Sequence, residues 1–218
     1  MTEITKDYLK SIIDHTLLKP EATPEDIKRL CEEAVKYQFY AVCVNSTFVS
    51  LAKNILKGTN VKVASVVGFP LGASSTFAKA QETEKAVRDG ADEIDMVIKI
   101  GYLKAKDYKE VENDIKEVVK VASGHVVKVI IETSLLTREE KIIASTLVVS
   151  AGAHFVKTST GFSSGGATVE DIKLIRSVIP ENIGVKASGG IRDFETAKSM
   201  VEAGATRIGA SKSIDIVS

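Results

Sequence analysis

Two lysines stand in closely matching contexts: Lys157 in "VKTSTG" (156–161) and Lys186 in "VKASGG" (185–190). Each follows an apolar, β-branched lead-in and precedes a polar loop carrying glycine, which is the setting of a buried strand end. Burial disfavours a charged ammonium, and a second ammonium beside it disfavours it further, so the pKa of such a lysine falls. An unperturbed lysine is a free amine at pH 7 only about once in 2,500, a penalty of roughly 4.6 kcal/mol. A depression of about three units recovers most of that. The free amine attacks carbonyl carbon to give a Schiff base. Its iminium accepts electrons from an adjacent C–C bond, as retro-aldol cleavage requires. Asp95, in "GADEIDMVI" (90–98), offers a carboxylate to carry protons to and from the carbinolamine and enamine. A single strand lysine is more often a solvated edge residue or half of a structural ion pair. The matched pair favours the chemical reading.

These residues must be positioned by the elements around them. Eight β-type runs are expected at 13–18, 41–45, 61–68, 93–98, 126–132, 155–158, 184–188 and 206–210, with helical periods between them. Thr23 with Pro24 and Asp26, Thr137 with Glu140, Thr168, and Asp193 each mark a helix start. Strands alternating with helices imply βαβ units and parallel strands. A weak internal repeat, "DGADEID" (89–95), "AGAHFVK" (151–157) and "AGATRIG" (203–209), places Asp95, Lys157 and Gly209 five residues after a helix-ending glycine. It therefore predicts that the three occupy equivalent positions on three parallel strands.

Alternation then sets the faces. Ile94, Met96, Val156, Val185 and Ala187 point to the helices, and Asp95, Lys157 and Lys186 point the other way. With eight strands that other face is the interior of an α/β TIM (β/α)8 barrel, whose sites lie at the C-terminal strand ends. An open doubly wound sheet is the alternative, but no G-x-G-x-x-G follows the first strand. Residues 1–218 are expected to form one catalytic domain, with an extra N-terminal helix in "ITKDYLKSIID" and a last helix that is short or missing after "IGAS" (208–211).

Three glycine-bearing turns follow the late strands, "TGFSSGG" (160–166), "SGGIRD" (188–193) and "GASKS" (209–213). Backbone N–H groups in such turns suit a phosphate, and barrels often hold one after strands seven and eight. Acidic and basic residues balance at 29 each, which argues against a nucleic-acid face. The N-terminal stretch mixes charges with apolar residues unlike a signal peptide, and no apolar run approaches the ~20 residues of a membrane span. Cys31 and Cys43 suggest neither a disulfide scaffold nor a metal site, and the three histidines are scattered. A cytoplasmic protein without metal or other cofactor is expected. On the residues alone, an isomerase, an aldolase or transaldolase acting on a larger sugar phosphate, and a sugar-phosphate-binding protein all stay open.

Over nearly its whole length the chain resembles the 2-deoxyribose-5-phosphate aldolases, a class I (Schiff-base) family. The likeness is carried by "IDHTLLKP" (13–20), "AVCVN" (41–45), "VVGFPLG" (66–72), "GADEIDMVI", "KVIIET" (128–133), "FVKTSTGF" (155–162), "VKASGGIR" (185–192) and "IGAS". The resemblance implies reversible cleavage of 2-deoxy-D-ribose 5-phosphate to D-glyceraldehyde 3-phosphate and acetaldehyde, in deoxyribose phosphate catabolism. It puts the Schiff-base lysine at Lys157, the second lysine at Lys186 and the proton-relay carboxylate at Asp95. It assigns the phosphate to Gly161, Gly189, Gly190, Gly209 and Ser211, and the substrate chain to Asp14, Thr16 and Thr160. Cys43 falls near the site, and Lys128 is expected as an ion-pair partner of the Asp95 region. The implied partners are a sugar phosphate and acetaldehyde, together with further copies of the chain in a dimer or tetramer.

Overall fold

The computed structural model describes residues 3–218. Among them, eight parallel strands pair in sequence order and close on themselves: β1 (Ile13–Leu17), β2 (Ala41–Val44), β3 (Lys62–Val67), β4 (Glu93–Val97), β5 (Val126–Ile130), β6 (Phe155–Lys157), β7 (Gly184–Ser188) and β8 (Arg207–Ala210). The crossovers are carried by α2 (Pro24–Tyr37), α3 (Val49–Ile55), α4 (Thr76–Arg88), α6 (Tyr108–Val121), α7 (Arg138–Ser150), α8 (Val169–Val178) and α9 (Phe194–Glu202). Short α1 (Lys6–Lys10) precedes β1, α5 (Ile100–Lys104) precedes α6, and α10 (Ser213–Val217) follows β8. This is a TIM barrel with an additional first helix and a last helix of little more than one turn. α1 packs beside α9 and α10.

The local chemistry explains the boundaries. Thr23 accepts a hydrogen bond from the Asp26 backbone N–H while the Asp26 carboxylate accepts one from the Thr23 backbone, closing a capping box at Pro24. Thr137 and Glu140 repeat the arrangement at α7. Several strands stop one or two residues before the expected ends. The largest difference is β5, which ends at Ile130 instead of 132. Glu132 adopts a left-handed backbone (φ 56°) and Thr133 begins a single 3-10 turn, so the ladder cannot continue.

Two interiors result. Outward-pointing Ile94, Met96, Val127, Val129, Val156, Val185, Ala187 and Ile208 join helix residues such as Ile27, Ile115, Val148 and Ile175 in one apolar shell. Inside the barrel, where branched aliphatic side chains usually dominate, the chain instead buries Asp14, Glu93, Asp95, Lys128, Lys157, Lys186 and Arg207.

A second buried ion pair lies between the helices. Lys79 of α4 donates to Asp114 of α6 at 2.6 Å and to the Val97 carbonyl at 2.8 Å, both side chains being inaccessible to solvent. Thr76 donates to the other Asp114 oxygen at 2.8 Å. Removing one partner leaves an uncompensated buried charge, whereas replacing both with apolar groups of similar size need not destabilise. Asp114→Ala is therefore expected to lower unfolding free energy by about 3–5 kcal/mol in guanidinium titrations. The double variant Lys79→Met/Asp114→Leu should recover most of that loss. Equal destabilisation in both would show that the pair is not the source of the effect.

Candidate active site

Gly90, Gly152 and Gly204 end α4, α7 and α9 with left-handed backbones (φ 104°, 79° and 114°), and β4, β6 and β8 each begin three residues later. The repeat in the sequence is thus a repeat in the structure: Asp95, Lys157 and Gly209 are each the third residue of their strand. Lys157 is the register partner of Lys186 on the adjacent strand, and Asp95 is the register partner of Lys128. Gly209 leaves room for the Lys186 stem, because a Cβ there would lie 3.0 Å from Lys186 Cε.

Asp95 is the hub. Its Oδ2 accepts from Lys157 at 2.7 Å and from Lys186 at 2.8 Å, and its Oδ1 accepts from Lys128 at 2.7 Å. Lys186 also donates to Asp14. Lys128 reaches Glu93 at 2.5 Å and Asp14 at 3.8 Å. Arg207 joins Asp14 at 3.0 Å to Glu93 at 2.9 Å. Four cationic side chains therefore share three carboxylates in one connected, buried network. Lys128, Lys186 and Arg207 each touch at least two carboxylates, but Lys157 touches only Asp95.

That imbalance sorts the pKa values. For Lys157, burial is the main influence and lowers it; the Asp95 carboxylate opposes this and the Lys186 charge reinforces it, leaving the amine below an ordinary lysine. Burial acts on Lys186 too, but Asp14 and Asp95 override it and hold that ammonium well above the usual range. Burial would raise the Asp14 carboxyl, yet Lys186, Lys128 and Arg207 bring it down to about 2. Asp95 likewise falls well below an ordinary carboxyl, because Lys128, Lys157 and Lys186 outweigh its burial. Lys157 is the one ammonium of the network whose proton is loosened.

Lys157 is also the member of the network that meets a cavity of about 390 Å³ at the C-terminal mouth of the barrel. Thr16, Thr160, Gly161, Gly189, Gly190, Gly209 and Ser211 line the same cavity. The loops on one side are tied together. Ala167 donates to the Gly189 carbonyl at 3.0 Å, Ser188 Oγ to the Ser159 carbonyl at 2.6 Å, and Thr158 Oγ1 to the Ser188 carbonyl at 3.0 Å. Gly161, Gly189 and Gly190 have positive φ (83°, 87° and 81°), a conformation that concentrates backbone N–H groups for an anion. Thr160 is fixed from below by Glu132, which accepts from its backbone N–H at 3.2 Å and from its hydroxyl.

Two expected residues stand behind the cavity wall and do not line it. Asp14 sits fully buried beneath the cavity, between Lys186 and Arg207, as a member of the ion network. Cys43 is fully buried in an apolar group with Leu18, Ala64 and Val66, against which Phe69 packs. Burial raises its thiol pKa. Sequence reasoning singled out neither Lys19 nor Arg192, which border the cavity with exposed side chains, nor the Arg207–Glu93 pair. The repeat held a signal for that pair, since Glu93, Phe155 and Arg207 are its equivalent positions two residues before Asp95, Lys157 and Gly209.

The arrangement supplies an amine, a neighbouring ammonium and a carboxylate beside an anion-suited mouth. Comparison with known proteins agrees with it. The family model for DeoC/LacD family aldolases matches residues 9–215. The chain is 64% identical over 206 residues to a deoxyribose-phosphate aldolase of Coprothermobacter proteolyticus, covering 94% of each chain. It is 62% identical over 215 residues to one of Natranaerobius thermophilus, covering 98% of each. Among solved structures, a tetrameric deoxyribose phosphate aldolase from Aeropyrum pernix superposes with a TM-score of 0.91 at 34% identity, over 98% of this chain and 91% of that one. The chain belongs to the DeoC/LacD family of aldolases.

Proposed function

We infer that this protein is a class I aldolase that reversibly cleaves 2-deoxy-D-ribose 5-phosphate to D-glyceraldehyde 3-phosphate and acetaldehyde, through a Schiff base on Lys157. The observation that carries the reading is the amine of Lys157 held on Asp95 beside Lys186, with its pKa lowered, at the floor of the one-sided glycine mouth. Substrate phosphate would rest on the Gly161, Gly189–Gly190 and Gly209–Ser211 loops, with exposed Lys19 and Arg192 adding positive charge at the rim. The open-chain C1 aldehyde then reaches Lys157.

The free amine adds to C1, and the carbinolamine hydroxyl takes a proton from the Lys186–Asp95 pair and departs as water. The iminium that remains carries the positive charge of the former ammonium in the same place, where Asp95 already compensates it. Asp95, directly or through water, removes the C3 hydroxyl proton. The C2–C3 bond breaks, its electrons forming the enamine, and glyceraldehyde 3-phosphate leaves. Protonation at C2 regenerates an iminium, water adds, and acetaldehyde departs as the amine is restored. Each proton taken from the relay is returned to it over the cycle.

The same reading takes residues 1–218 as one catalytic domain serving deoxyribose phosphate catabolism. Buried, unpaired Cys31 and Cys43 fit a reducing cytoplasmic setting, and no described helix is long and apolar enough to cross a membrane. A homo-oligomer belongs to this reading as well, on the analogy of the tetrameric Aeropyrum pernix relative.

Borohydride reduction in the presence of acetaldehyde should add a two-carbon unit to the peptide bearing Lys157 and leave Lys128 and Lys186 unmodified. A map with no adduct at Lys157, or turnover with dihydroxyacetone-type donors in place of acetaldehyde, would overturn the assignment. The pH dependence has a defined sign. Because Lys157 must be unprotonated and its pKa is lowered, kcat/KM should fall toward acid with a limb below the ~10.4 of an ordinary lysine. Lys186→Leu should keep the fold by circular dichroism yet lose about 10²–10⁴-fold in kcat, the usual span for a missing acid–base partner. Near-normal turnover in that variant would contradict the role given to the second lysine.

A further inference from the structure

Below Lys157, on the side away from the cavity, lies a layer that the mechanism above does not use. Arg207 is 6% exposed, its guanidinium lying 3.7 Å from the centroid of the Tyr40 ring and 5.3 Å from that of Phe155. It binds Asp14 and Glu93, and Glu93 in turn binds Lys128 and accepts a hydrogen bond from the Tyr40 hydroxyl at 3.2 Å. The fold makes specific room for this layer: a Cβ on Gly184 would lie 2.2 Å from the Phe155 ring that flanks the guanidinium. Neither Arg207 nor Glu93 touches the cavity.

We propose that Arg207 and Glu93 are positioning residues that set the protonation of Lys157 through the charge balance of the barrel interior. A guanidinium cannot shed its proton at any accessible pH. With Arg207 permanently charged, the network holds four cationic sites against Asp14, Glu93 and Asp95, and one ammonium is in excess. The proton leaves from Lys157, the lysine with a single carboxylate partner and access to the mouth. The groups that face this network are Asp14 from β1, Tyr40 just before β2 and Cys43 within it, Glu93 and Asp95 from β4, Lys128 from β5, Lys186 from β7 and Arg207 from β8. Apolar Ala64 and Val66 of β3 complete the ring.

The two residues must then act with opposite signs. Arg207→Met leaves three ammonium groups against three carboxylates, a balance that retains the Lys157 proton. Glu93→Gln leaves four cations against two carboxylates and drives the proton off more readily. The inference rests on Lys157 as the Schiff-base lysine, so wild-type trapping at that residue is the first control; its failure removes the functional assignment itself.

With trapping established, pH profiles of kcat/KM decide the inference. The acid limb should move to higher pH in Arg207→Met and to lower pH in Glu93→Gln, each by about one pH unit, as expected for one unit charge several ångströms away. The double variant should return near the wild-type limb, and Arg207→Lys, which keeps the charge, should stay there. A purely structural role predicts lost activity with unmoved limbs, or movement in one direction for both. Either result overturns the proposal. If Arg207→Met does not fold, Glu93→Gln decides alone: a limb that fails to move toward acid refutes it.

Discussion

Asp95 accepts hydrogen bonds from three ammonium groups at once, Lys128, Lys157 and Lys186, with no solvent to dilute the charges. Burying ions is costly, and each lysine is retained as a cation only where carboxylate contacts offset its desolvation. Asp14 and Glu93 provide those contacts for Lys186, Lys128 and Arg207, and Lys157 is left with a share of Asp95 alone. Lys157 is thus set apart from its neighbours by where the carboxylates have been committed. In the proposed reaction, such clustering would give an iminium at Lys157 a prepared environment, since a cation at that nitrogen is already accommodated before substrate arrives.

The barrel architecture makes this arrangement possible. Parallel strands in sequential order set Lys157 and Lys186 as register partners, and the inward face of eight strands gathers side chains from distant parts of the chain into one small volume. The same topology puts the loops after β6, β7 and β8 on one side of the mouth. Under the proposed function, a negatively charged end of a substrate held there would leave its other end free to reach Lys157. Apolar Leu18, Cys43, Ala64 and Val66, with Phe69, occupy the β1–β3 side. Of these, Leu18 borders the cavity, beside Leu17.

Much of this was legible in the residues. Helix caps such as Thr23–Asp26 and Thr137–Glu140 are local chemistry, and they gave the starts of α2 and α7. Alternation identified the inward faces, and the glycine-anchored repeat put Asp95 and Lys157 at matching strand positions. The family resemblance, not spacing, selected Gly161, Gly189, Gly190, Gly209 and Ser211, which do share one cavity. What escaped is long-range. The family resemblance links Asp14 to the substrate chain; it shares the inward face of β1 with Thr16, but two residues deeper, where its carboxylate meets Lys186 and Arg207 beneath the cavity. Arg207 reads in sequence as an ordinary strand-start arginine, and only closure of β8 onto β1 brings it to Asp14. Lys79 sits in a helix of mixed polarity, and nothing local indicates that Asp114, on the second helix along, will meet it.

The central claim is that the interior network holds one cation more than its carboxylates retain, and that Lys157 is the group that yields. The most direct test is an NMR titration of the protein with 15N-labelled lysine side chains, assigned by single substitutions. The account predicts that the Lys157 signal titrates first, below the range of an ordinary lysine (~10.4), while Lys128 and Lys186 stay protonated beyond it. Lys157 remaining charged as long as its two neighbours, or Lys186 losing its proton before it, would contradict the account.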